Sequence, residues 1–287
     1  MTVVNIQVAR TCNLRCSFCS HDRWTEATGM MDFALFERIV ASLKADGIGT
    51  VCFVSAQGES LLHPRIFDML EAALAAGFET NLVTNGTPLN ERRIERLAAL
   101  GLDAVQFSFA GWDKASYEAA YVGGRFEPVS RNLAGLIHAL RGTRTMLTIN
   151  GVLRDECGIE PTRAYLASLG AAPETIRLGL AHNWGGTVEA GRQRSVPAGT
   201  VWSHRDLAGA TRKVCPLLLS TQGIYIDGRV TACGCIDANG ALEIGHIGDG
   251  TISSMRGGER YRGMVKAFEQ GDVSGLPLCA GCEIPYS

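Results

Sequence analysis

From residue 3 to about residue 180, short β-branched runs alternate with longer stretches in which apolar residues recur every three or four positions. That alternation predicts repeated βα units on a parallel sheet. The predicted strands are 3–8, 50–55, 79–84, 104–109, 145–151 and 175–180, six in all. Asp32 is placed to cap a helix with Leu35, Phe36, Ile39, Val40 and Leu43 on one face, and Pro64 to open a second carrying Ile66, Phe67, Leu70 and Leu74. Asn90 starts a third helix that stops at Gly101. Val129, Leu133, Leu136, Ile137 and Leu140 stripe a fourth, and a short fifth ends at Gly170.

Six βα units form either an open sheet or an incomplete barrel, and the strand faces discriminate. Gln106 and Ser108 alternate with Val105, Phe107 and Phe109, while Thr148 and Asn150 alternate with Leu147 and Ile149. Parallel strands covered on both sides normally read apolar throughout, so a polar face predicts a lumen that holds a ligand or a hydrogen-bonded core. The expected fold is therefore α/β, a partial (β/α)6 TIM-like barrel over residues 1–180. Residues 181–213 show neither period and are expected to form a connector or lid. Residues 214–287 change character: a hairpin around Asp227-Gly228, which suits a type I′ turn, then a helix over 251–269 and a terminal cysteine pair.

Composition narrows the function classes. The 287 residues are 46% hydrophobic and 20% charged, with a net charge of -2, which argues against a nucleic-acid or anionic-membrane surface. No apolar run reaches spanning length and no secretion signal precedes the first strand, so the expected location is cytoplasmic. Ten cysteines in a reducing compartment then point to metal ligation or catalysis rather than disulfides. They cluster at 12/16/19, 215/233/235 and 279/282, leaving Cys52 and Cys157 alone.

Sites in parallel barrels gather at the C-terminal strand ends. The loop after the first strand carries Cys12-x3-Cys16-x2-Cys19; the second is followed by Gln57-Gly58-Glu59-Ser60 and the third ends in Thr84-Asn85-Gly86. Ser108 and Asn150 lie near the ends of the fourth and fifth strands, and Asn183 follows the sixth. Three thiolates hold a metal centre but leave one position of a four-ligand site free. In the tail, Cys215, Cys233, Cys279 and Cys282 suffice for a closed site, as structural zinc or as an iron-sulfur cluster.

The Cys12-x3-Cys16-x2-Cys19 motif on the first βα loop resembles that of the radical S-adenosylmethionine (SAM) superfamily, whose fold is also a partial six-unit barrel. The resemblance implies that Cys12, Cys16 and Cys19 bind a [4Fe-4S] cluster whose fourth iron takes the amino and carboxylate groups of SAM. Phe18 stands where relatives place an aromatic near the adenine. Gln57-Gly58-Glu59-Ser60 resembles their Gly-Gly-Glu-Pro motif, which contacts the methionine amine, although Gln57 and Ser60 depart from it. Asn85, Ser108 and Asn150 match positions that meet the SAM carboxylate or ribose. Gly228-x4-Cys233 and Cys279-x2-Cys282 resemble the shortened SPASM tail, or twitch domain, which implies one auxiliary [4Fe-4S] cluster. Cys235 is the spare and could replace Cys233.

The resemblance implies reductive SAM cleavage to a 5′-deoxyadenosyl radical, with electrons from an external flavodoxin or ferredoxin. The expected reaction oxidises a secondary alcohol of a small sugar, aminosugar or cyclitol substrate to a ketone, as in the twitch-bearing aminocyclitol dehydrogenases. The alternatives are a ribosomal-peptide maturase and a non-enzymatic iron-sulfur or zinc protein. Arg154, Asn183 and Glu189, on the loops after the fifth and sixth strands, are the candidate catalytic residues.

Overall fold

The computed structural model describes residues 2–54, 58–181, 214–234 and 236–282, without the side chain of Asp22. Connector residues 182–213, with Asn183 and Glu189, lie outside the described residues, as do Gln57 and Cys235.

Six parallel strands run in chain order: β1 (Val3–Ile6), β2 (Thr50–Phe53), β3 (Glu79–Thr84), β4 (Ala104–Ser108), β5 (Met146–Leu153) and β6 (Ile176–Leu180). β1 and β6 do not pair among the described residues, which makes this the expected partial barrel. Helices α1 (Phe33–Ala45), α2 (Ile66–Ala75), α3 (Glu91–Leu100), α4 (Lys114–Ala120), α5 (Phe126–Leu140) and α6 (Ile159–Ser168) lie between the strands. Their apolar stripes and the alternate strand residues Ile6, Phe53, Leu82, Phe107 and Ile149 form one buried core.

Local chemistry explains most boundaries. Asp32 accepts from the N–H groups of Ala34 and Leu35, Asn90 accepts from Arg93 N–H, and Gly101 closes α3 with φ 63°. Pro64 does not open α2. The helix begins at Ile66 because Glu59 first caps a tight turn, Ser60–Leu62. The sequence pattern also missed α4, which is too short for a periodic signal but carries a capping box between Asp113 and Ser116.

The tail is more closely joined to the barrel than an appended module. β7 (Thr221–Ile224) pairs in parallel with β1, and β8 (Arg229–Thr231) and β9 (Glu243–His246) extend the same sheet in antiparallel fashion. The turn between β7 and β8 differs from the expected two-residue type I′. Tyr225 N–H donates to Arg229 O across a three-residue loop, in which Gly228 takes φ 89°. The expected 251–269 helix is broken at Gly257-Gly258 into α8 (Ile252–Arg256) and α9 (Glu259–Glu269), with α7 (Pro216–Ser220) before the hairpin and α10 (Pro277–Ala280) near the end. Leu218, Leu242, Tyr261, Met264, Phe268 and Leu278 give the tail a core of its own. Among the described residues, no helix is long and apolar enough to cross a membrane.

Candidate functional site

Cys12, Cys16 and Cys19 line a cavity of about 300 Å³ at the C-terminal ends of β1 to β4, together with Phe18, Gly58, Glu59, Asn85 and Ser108. Eight residues singled out from sequence therefore meet at one mouth. Ser60 is buried but is not part of the lining. Asn150 neighbours Ser108 in register, and its Oδ1 is buried with no hydrogen-bond partner among the described residues. Asn81 Oδ1, on the same face of β3 as the cavity-lining Val83, is likewise unpartnered. Buried acceptors in this state are rare, and these two suit a ligand that donates hydrogen bonds.

His21, Trp24 and Tyr121 also line the cavity, and sequence reasoning did not place them there. His21 and Trp24 pack with ring centroids 4.0 Å apart and planes tilted by 42° on the turn after Cys19, and Tyr121 meets Phe18 edge-on at 5.2 Å. Tyr121 arrives from the end of α4, the helix that left no periodic signal, while His21 and Trp24 follow the cysteines in a stretch without strand or helix pattern.

Glu59 is 2% exposed and fully engaged: Oε1 accepts from Leu61 N–H at 3.0 Å and from Thr84 Oγ1 at 2.8 Å, and Oε2 accepts from Asn85 N–H at 2.7 Å. Burial pushes its carboxyl above the usual range, and the three donors pull it back. In this arrangement Glu59 ties the loop after β2 to the end of β3. Gly86 lets the loop after β3 turn with φ 71°, where an added Cβ would sit 1.9 Å from the Phe107 ring.

Burial is the main reason the Cys16 thiol ionises far less readily than usual, and charge on Cys19 and Cys12 adds to it. Cys12 is raised mainly by burial, opposed by the Leu14 backbone N–H. Among the described residues no three Cys, His, Asp or Glu side chains are drawn to the spacing of a single metal ion. The donor set fits an iron-sulfur cluster: three thiols whose charges oppose one another, beside a cavity large enough for a further ligand.

The tail thiols converge separately. Cys215, Cys233, Cys279 and Cys282 line a small cavity otherwise formed by Leu217, Leu218, Ile236, Leu242, Phe268 and Leu278. They come from the start of α7, the residues after β8, α10 and the residues following it. Four thiols in an apolar cradle fit a closed four-ligand centre. Asn5 joins the two regions: it lines the first cavity, and its Nδ2 donates to Gly234 O beside Cys233 at 2.9 Å. Arg154 lies elsewhere, on a cavity of about 320 Å³ with Trp112, Asp113 and Asp155 on the loops after β4 and β5. Cys52 is half-buried in β2 and Cys157 is exposed.

The sequence pattern of the Radical SAM superfamily matches residues 6–158. The tungsten-containing aldehyde ferredoxin oxidoreductase cofactor-modifying protein of Pyrococcus furiosus is 33% identical over 108 residues, 38% of this chain and 30% of that protein. The chain spans between 30% and 50% of the length of the curated relatives it matches. Among solved structures, BtrN in complex with AdoMet and 2-DOIA is similar over 99% of this chain and 93% of that one, with TM-score 0.63 and 19% identity. Streptococcus suis SuiB bound to precursor peptide SuiA is similar over 98% of this chain and 70% of that one, with TM-score 0.71 and 15% identity. At these identities the likeness is one of fold, and it extends through the tail. With the matched pattern covering more than half of the sequence and its cysteines gathered at the barrel mouth, the chain belongs to the radical SAM superfamily, whose members bind SAM at a [4Fe-4S] cluster.

Proposed function

We propose that the protein is a radical SAM oxidoreductase that converts a secondary alcohol of a sugar, aminosugar or cyclitol to a ketone, with the tail thiols holding an auxiliary [4Fe-4S] cluster as electron acceptor. The observation that carries this reading is the contrast between the two cysteine sets: three beside a cavity of about 300 Å³ that also carries polar side chains, and four around a small apolar one. When bound, SAM and the first cluster supply the chemistry that takes a hydrogen atom from an unactivated C–H bond. Cys12, Cys16 and Cys19 hold that cluster, and Phe18, Gly58, Ser108 and Asn150 flank SAM. In the tail, Cys215, Cys233, Cys279 and Cys282 would ligate all four irons of such a cluster and leave none for substrate, which favours electron transfer over substrate binding.

Oxidation of an alcohol to a ketone removes two protons and two electrons. The carbinol hydrogen leaves as an atom and the hydroxyl proton leaves to a base; a cluster held by Cys215, Cys233, Cys279 and Cys282 would supply the acceptor for the remaining electron. The cavity bearing Trp112 and Arg154 lies beyond the ends of β4 and β5, where part of a substrate can be held. A guanidinium carries five N–H donors and no acceptor, so the part proposed for Arg154 is to position substrate. A flavodoxin or ferredoxin is the proposed source of reducing electrons.

A panel of aminosugars and cyclitols deuterated at the carbinol carbon, incubated with SAM and a low-potential reductant, tests the reading. It predicts one deuterium in 5′-deoxyadenosine for each ketone formed. SAM cleavage with a precursor peptide but with none of the alcohols would replace it by peptide maturation.

A further inference from the structure

We propose that Asn85 sets the reduction potential of the cluster held by Cys12, Cys16 and Cys19, by donating a side-chain N–H to Cys12 Sγ. The proposal rests on the superfamily's cluster and is independent of the substrate.

The posture of Asn85 is fixed at each of its polar atoms. Its backbone N–H donates to Glu59 Oε2 at 2.7 Å, which anchors the loop. Its Oδ1 accepts from Thr87 N–H at 2.9 Å and from Thr87 Oγ1 at 2.6 Å. A backbone N–H can only donate, so the amide oxygen must face Thr87 and the amide nitrogen must face the cysteine loop. Nδ2 then lies 3.3 Å from Asn13 Oδ1 and 3.8 Å from Cys12 Sγ, which accounts for both of its hydrogens. Asn13 Nδ2 donates to Thr87 Oγ1 at 2.7 Å and closes a ring of three side chains.

This geometry has a redox consequence. A hydrogen bond to a ligating thiolate draws negative charge from the sulfur, and so favours the reduced, more negative cluster. With Asn85 in place the potential is higher than without it. Glu59 and Thr87 act through Asn85 and are positioning residues. The motif resemblance gave Asn85 to SAM; the geometry gives it a contact to a cysteine ligand.

The test is an anaerobic EPR redox titration of the reconstituted full chain without SAM, comparing wild type with Asn85→Ala, Asn85→Asp and Thr87→Val. The first cluster's signal is recognised by its change when SAM is added to a parallel sample, and iron content and SAM affinity are measured alongside. The expected result is unchanged iron with a lower midpoint. The shift should be largest for Asn85→Asp, which puts a carboxylate in place of the donor, and smallest for Thr87→Val, which keeps the backbone anchor. An unchanged midpoint at full iron content overturns the proposal, as does an effect confined to SAM affinity. If both Asn85 variants lose iron, Thr87→Val decides: a lowered midpoint supports the proposal, and an unchanged one overturns it.

Discussion

The Tyr117 ring packs against Phe109, Tyr121 and Phe126, its buried hydroxyl has no hydrogen-bond partner among the described residues, and burial pushes its ionisation far above the usual range. Its ring stacks on Tyr121 at 4.9 Å, so the aromatic body supports the cavity wall while the polar tip is a liability. Tyr117→Phe is expected to be neutral or to stabilise the protein by about 1 kcal/mol, because it removes an unsatisfied buried group of nearly unchanged shape. Urea unfolding checks this; a clear loss of stability would mean that the hydroxyl is bonded. Residues of this kind were not legible from sequence. Cys12, Cys16, Cys19 and Asn85 could be found because their loops follow strands with strong periodic signals. Tyr121, His21 and Trp24 reach the same cavity through a short helix and an irregular turn, and only three-dimensional packing brings them there.

At the scale of elements, caps and breakers were the most transferable signals because they act within a few residues. Asp32 and Asn90 each satisfy amide donors at the start of α1 and α3, and Asp32→Ala or Asn90→Ala is expected to cost about 1 kcal/mol of stability. Glycine in place of either should cost only a few tenths, a difference that denaturant midpoints can resolve. Signals that depend on competition between neighbours failed. Pro64 looks like a helix opener, but the carboxylate of Glu59 organises the turn before it, and Arg65 becomes the residue preceding the helix. Gly257-Gly258 interrupts an otherwise continuous apolar stripe, as helix-weakening glycines in tandem do. Of the polar strand faces read from sequence, Ser108 lines the cavity and the Asn150 oxygen is buried with no hydrogen-bond partner among the described residues.

Across the whole molecule, the pairing of β7 with β1 links the tail to the strand that precedes Cys12, a long-range contact that no local pattern announces. Side chains reinforce the join. Arg10, 2% exposed, donates to Glu26 at 3.1 Å, and Arg229 of β8 donates to the same carboxylate oxygen at 2.9 Å, with both guanidinium groups over the Tyr225 ring. Glu26→Ala leaves a buried cation without that partner, and is expected to destabilise the reconstituted protein by about 2 kcal/mol, between exposed and buried pair values. A thermal unfolding midpoint equal to wild type would show that the join does not depend on this carboxylate. The tail thiols and the barrel mouth thus form a pair of cysteine sites, bridged by the hydrogen bond from Asn5 to Gly234. Metal analysis of the anaerobically reconstituted chain tests that pairing most directly. The account predicts about eight irons per chain, falling to about four when Cys12, Cys16 and Cys19 are replaced by Ala, and to about four when Cys279 and Cys282 are replaced instead. About four irons in the wild type with zinc in the tail would contradict it.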